Sequence, residues 1–125
     1  MTIKLYEIIN LNRALKLIID DNSKQIDSLL KFKLLGIMKS IAPHIENFEI
    51  IRNEKIREYG KETEDGGIVI SPEDKDSLDK FTNEIKKITD SEVELTISKL
   101  KVQDVFNKGI SAELLIVLYP FMDEQ

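Results

Sequence analysis

Cysteine is absent from this sequence, so neither a disulfide framework nor a thiolate metal site is open to it. Histidine occurs once, as His44, which excludes a histidine-based catalytic triad and any multi-histidine metal centre. Following Pro43, it reads as a boundary histidine rather than a pH-responsive group. Long apolar runs are missing as well: the longest, Leu114 to Tyr119, is far short of the roughly 20 residues that a membrane span needs. Met1 to Asn10 carries Lys4 and Glu7 among its apolar residues and shows no small-residue cleavage site, so no export leader is read and a cytoplasmic protein is expected. Positive charge is in the minority. The 18 Lys and Arg residues face 23 Asp and Glu, a net charge of −5 that repels a phosphate backbone, and neither nucleic acid nor membrane is an expected partner. Glycine is scarce, and Asp65-Gly66-Gly67 lacks both the lysine and the adjoining helix N-terminus of a phosphate loop.

What the chain does contain is helical periodicity. Ile26, Leu30, Leu34, Ile37, Ile41, Ile45 and Phe48 advance by threes and fours, which predicts one helix over Asn22 to Tyr59 with Asn22 or Ser23 as its N-cap. At about 1.5 Å per residue such a helix spans roughly 55 Å, long for a chain whose radius of gyration should be near 14 Å. Pro43 sits inside the stripe, so a kink is expected between Lys39 and Pro43. A short extended start and a helix from about Tyr6 to Ile19 precede it, giving an αα-hairpin. Beyond Phe48 the stripe narrows to Ile51 and Ile56 among many charges, a width that suits a single neighbour.

Asp65-Gly66-Gly67 marks the strongest turn, followed by a β-branched strand, Ile68 to Ile70. Ser71-Pro72-Glu73-Asp74 has the chemistry of a helix start, with Ser71 as cap and Pro72 at the first helical position, and the helix should run to about Thr89 on Leu78, Phe81, Ile85 and Ile88. Val93, Leu95 and Ile97 alternate with polar residues, a half-buried strand over 92–98. Two pairings are open for Ile68–Ile70: a parallel one with 92–98 through a right-handed crossover, or an edge hairpin with Lys61–Glu64. Leu100, Val102, Val105 and Phe106 lead to Gly109, and Ser111 caps a last helix that Pro120 ends. Leu114 to Phe121 is apolar all round and is expected to be buried in the chain's own core. The fold class is α+β, predominantly α-helical: an αα-hairpin with a long kinked helix and a small sheet of two or three strands. A chain of this length makes a single domain, residues 1–125, from which the distal long helix and turn, about 46–67, are expected to project.

No constellation carries chemistry. Asp20, Asp21 and Asn22 lack the mid-loop glycine and distal glutamate of a calcium loop. Glu73, Asp74, Asp76 and Asp79 are the acids that a helix dipole favours in a first turn. Glu84-Ile85-Lys86 matches the Glu-x-Lys piece of a magnesium nuclease site, with Asp74 upstream, but on a helix its two side chains project roughly 200° apart. Glu92 and Glu94 form the wet side of an alternating strand. Lys24, Lys31, Lys33 and Lys39, and the later group from Lys80 to Lys101, are interleaved with acids and few aromatics, as solvated faces are. No catalytic residue, cofactor or metal ligand is expected. The expected contact surface is the strip Phe48, Ile51 and Ile56 together with the acidic turn Glu62, Glu64 and Asp65.

The order of these features resembles a family of small tailed-bacteriophage proteins of unknown function. The likeness is carried by the short first helix, the long charged helix ending in Arg57-Glu58-Tyr59-Gly60-Lys61, the acidic Gly turn, the Ser-Pro helix start and the Glu-Val-Glu-Leu-Thr-Ile strand. It implies a phage-encoded protein acting in the host cytoplasm, and no catalytic residue comes with it. The expected function is a non-enzymatic protein-binding module that engages a host or phage protein, as an inhibitor of a host enzyme or defence complex. The alternative is a virion or assembly accessory protein that self-associates as a homo-oligomer.

Overall fold

The computed structural model describes residues 1–22 and 24–123. Thr2–Lys4 forms β1 and leads directly into helix α1, Leu5–Asp21, whose Glu7 carboxylate accepts the Lys4 backbone N–H at 3.0 Å and so closes the first turn. The long helix α2 spans Ser28–Tyr59. It starts later than the sequence suggests because Asp27, not Asn22, is the cap, its carboxylate accepting the Leu30 N–H at 2.8 Å. Asn22 is spent on ending α1: it is buried, its carbonyl accepts from Gln25 and Ile26, and its Nδ2 donates to Gly109 O at 2.8 Å. Ser23, the other candidate cap, lies outside the described residues. At 32 residues, about 48 Å, α2 continues through Pro43 as one element.

Ile8, Leu11, Leu15 and Ile18 of α1 meet Leu30, Leu34, Ile37 and Ile41 of α2 in the core, at spacings that put each set on one helical face. Leu95, Leu100, Val105, Leu118, Phe121 and Met122 close it from the C-terminal third of the chain. The fold is predominantly helical α+β, and its strands are short pairs rather than one sheet.

β2 (Lys61–Glu62) and β3 (Ile68–Val69) form the antiparallel hairpin. Its turn has Gly66 N–H donating to Thr63 O at 3.0 Å and Thr63 N–H to Gly67 O at 2.7 Å, with Gly66 at φ 86° where side chains are strained. At Gly60, where α2 ends, a Cβ would sit 2.8 Å from Ile68 Cγ2, so glycine lets the hairpin fold against the helix end. The parallel alternative fails. Helix α3, Lys75–Thr89, leads instead to β4, Glu92–Glu94, which pairs antiparallel with β1 at Ile3↔Val93. The local turn closes its strand pair over a few residues, whereas a parallel pairing needs the whole crossover to be ordered first.

Ser71 does not cap α3. It makes a turn that accepts from Glu73 and Asp74, and Asp74 caps one turn later by accepting the Ser77 N–H at 3.3 Å. The expected strand over 92–98 stops at Glu94, and Leu95 adds a last backbone bond to Met1 at 2.9 Å. β5 (Leu100–Lys101) runs parallel to β6 (Met122–Asp123), a pairing without a local signal in the sequence. Between them lie α4, Val102–Val105, and α5, Ala112–Leu118, with Ser111 as cap and a 3-10 turn at Tyr119–Phe121 around Pro120.

Candidate interaction surface

Helix α2 has two halves with different neighbours. The distal half is accompanied by α3: Tyr59 donates its hydroxyl to Glu84 Oε1 at 3.1 Å, and Lys55 Nζ lies 3.2 Å from Glu84 Oε2 and 2.8 Å from Glu58 Oε2. The Glu58 carboxylate, and after it Glu84, holds the Lys55 ammonium above the usual lysine range. Desolvation, aided by Glu84, raises the Tyr59 phenol. Glu84 is thereby engaged as a tie between helices, and Lys86 is exposed on the same helix, so the Glu-x-Lys match is not assembled into a site.

Phe48 and Ile51 line a shallow depression with Leu5, His44, Ile88 and Val93, and Phe48 packs against the core. Ile56 is half-buried. Phe48 and Ile51 therefore belong to a seam shared with Ile88 of α3 and Val93 of β4. Glu62, Glu64 and Asp65 are exposed at the hairpin. The Thr63 hydroxyl donates to Asp65 and, with the Gly67 backbone, holds that carboxyl below the usual aspartate range. This charge is committed to the turn itself.

The proximal half of α2 is different. Leu29, Phe32 and Leu35, at helical spacing, are 64%, 75% and 43% exposed. Apart from the adjoining residues and the backbone of the helix itself, no atom lies within 4 Å of a Cβ built on Gly36, beside them. A helix-interior glycine costs about 1 kcal/mol relative to alanine, and nothing in the chain packs against this one. On one flank a cleft of about 480 Å³ runs between Phe32, Gly36 and Ser40 and the extended segment around Ile97. Thr96, Ile97 and Ser98 have no backbone hydrogen-bond partner among the described residues. On the other flank a groove of about 470 Å³ between α1 and α2 is lined by Leu35, Met38, Ala42 and Ile45, with Lys16 and Lys39 toward one end and Glu46 and Glu49 toward the other.

Sequence reasoning misses this surface because its lysines, interleaved with acids, have the pattern of one solvated face. Lys33 is tied to Asp104 at 3.1 Å, whereas Lys31 and Lys39 have no ion pair among the described residues. The available signal was the apolar set Leu29, Phe32 and Leu35, displaced around the helix from the core stripe. The segment from α5 through the 3-10 turn divides similarly: Leu118 is buried, but Ile116 and Tyr119 are 72% and 62% exposed, so it is not wholly self-buried.

Among the described residues no group of three or more His, Cys, Asp or Glu is placed to hold a metal ion, and no helix is long and apolar enough to cross a membrane. No known protein family, curated protein or solved structure matches the chain.

Proposed function

We propose that the chain is a non-enzymatic protein-binding module, and that it binds through the proximal outer face of α2. The observation that supports this reading is the exposure of Phe32 and Leu29 between two clefts, over a glycine that no part of the chain covers. Exposed aromatic and aliphatic side chains flanked by clefts anchor protein contacts, and an apolar helix face is read by partners at the i, i+3 spacing seen here. The resemblance to small tailed-phage proteins draws the partner from host or phage proteins, with inhibition of a host enzyme or defence complex as the working role. A virion or assembly accessory role would use the same face for self-association.

The test is affinity capture from phage-infected cells with the wild-type chain and with a Leu29→Glu/Phe32→Glu variant, read by mass spectrometry. One partner should be captured by the first and lost from the second at equal melting temperature. Identical captures by both would refute the assignment of the face.

A further inference from the structure

We propose that α2 pairs antiparallel with α2 of a second copy of this chain, crossing near Ala42. The proposal rests on the reading of the chain as a protein-binding module, and it sets a second copy on the adjoining side of α2, which shares Leu35 with the face described above.

Leu35, Lys39, Ala42, Glu46 and Ile50 follow one another at intervals of three and four, and so share one side of α2. The first four of them line the groove beside α1. Lys39 precedes Ala42 by about as much as Glu46 follows it, and Leu35 and Ile50 bracket it almost equally further out. A two-fold axis through this point sets Lys39 of each copy against Glu46 of the other, and Leu35 against Ile50, twice over. Parallel pairing would instead oppose like charges along the whole contact.

All four side chains are available. Leu35 and Ile50 are 43% and 57% exposed, and Lys39 and Glu46 are exposed without an ion pair among the described residues. Charge complementarity of this kind selects the orientation of a partner more than it adds affinity, and the apolar pairs supply the buried contact. Ala42, at the crossing, carries the small side chain that close approach of two helix backbones requires.

Charge reversal makes the test specific. Lys39→Glu leaves that position and Glu46 both acidic, so two such chains repel. Glu46→Lys leaves both positions basic, with the same result. Mixed together, the two variants are complementary at both contacts. Sedimentation velocity should show the wild type as a dimer, each variant alone weakened about tenfold or more, and the equimolar mixture restored. Thermal melting checks that the exposed substitutions leave the fold intact.

Because the chain has no cysteine, Leu35→Cys mixed with Ile50→Cys gives a second readout. An oxidised cross-link between these variants, stronger than either makes with itself, reports the antiparallel register. A wild type that stays monomeric at high concentration overturns the proposal, and so does a dimer indifferent to both reversals. If the monomeric wild type still captures a different protein through Phe32, the binding reading survives and only the second copy is wrong. If Leu29→Glu/Phe32→Glu leaves capture unchanged, the placing of the binding face on Phe32 falls by itself, whatever the oligomeric state.

Discussion

Tyr59 donates its hydroxyl to Glu84 Oε1 at 3.1 Å and so fastens the last turn of α2 to the middle of α3. The same carboxylate faces Lys55 through its other oxygen at 3.2 Å. Glu84→Ala should therefore lower the melting temperature more than Tyr59→Phe does, since it removes the phenol's acceptor and one of the two carboxylates at the Lys55 ammonium, which keeps Glu58. The pH dependence follows from Lys55, whose folded pKa is raised above its unfolded value by Glu58 first and Glu84 second. Its stabilisation is complete below the ordinary lysine pKa and disappears as pH rises through the higher folded value. The difference in melting temperature between wild type and Glu84→Ala should stay level near neutrality and shrink only in strongly alkaline buffer.

At the hairpin the sign is reversed. Thr63 and the Gly67 backbone depress the Asp65 pKa, so its contribution is present above the ordinary aspartate range and is lost as pH falls through the folded value. The protection factors of the Thr63 and Gly67 amides, taken against the intrinsic exchange rate at each pH, should fall in acid in the wild type, and Asp65→Asn should flatten that dependence. Equal acid sensitivity in both chains would show that the carboxylate does not hold the turn.

The two halves of α2 should respond differently to truncation. Phe48→Ala and Ile51→Ala, in the seam with α3, should each cost about 1 to 3 kcal/mol in urea unfolding, because partly buried side chains leave a partial cavity. Phe32→Ala should stay within about 0.5 kcal/mol of wild type, since the side chain is 75% exposed. Loss of binding with unchanged stability at Phe48 would return the interface to the distal strip.

Gly36→Ala should stabilise the isolated chain by up to about 1 kcal/mol, because helix propensity rises and nothing beyond the adjoining residues and the helix's own backbone stands within 4 Å of the new methyl group. A loss of stability in urea unfolding would mean that the position is less open than its surroundings indicate.

The helices were legible because their signals are local. Thr2–Lys4 followed by α1, the stripe from Leu30 to Ile41, the Asp65-Gly66 turn and the Ser111 cap all fall where periodicity and turn chemistry put them. Boundaries failed where several capping residues compete. Asn22, Ser23 and Asp27 are all competent caps, and tertiary contact with Gly109 commits Asn22 elsewhere. Ser71 and Asp74 compete likewise, with Ser71 taken by a turn. Strand partners were illegible for a different reason. Nothing in the residues around Ile3 names Val93, and two-residue strands such as Leu100–Lys101 carry no alternation to read. The exposed face of α2 was hidden because burial, not composition, separates Phe32 from Phe48.

The pairing of Ile3 with Val93 also sets an order of events in time. The α1–α2 hairpin is made from neighbours in sequence and can collapse within microseconds, whereas β1 must wait for a partner on the far side of both α2 and α3. Once those helices have docked, the remaining closure is short, and the strand adds little to the barrier already crossed. Weakening β1 should consequently hasten unfolding while leaving the folding rate nearly unchanged, making this small strand a latch on the lifetime of the native state rather than a seed of its formation.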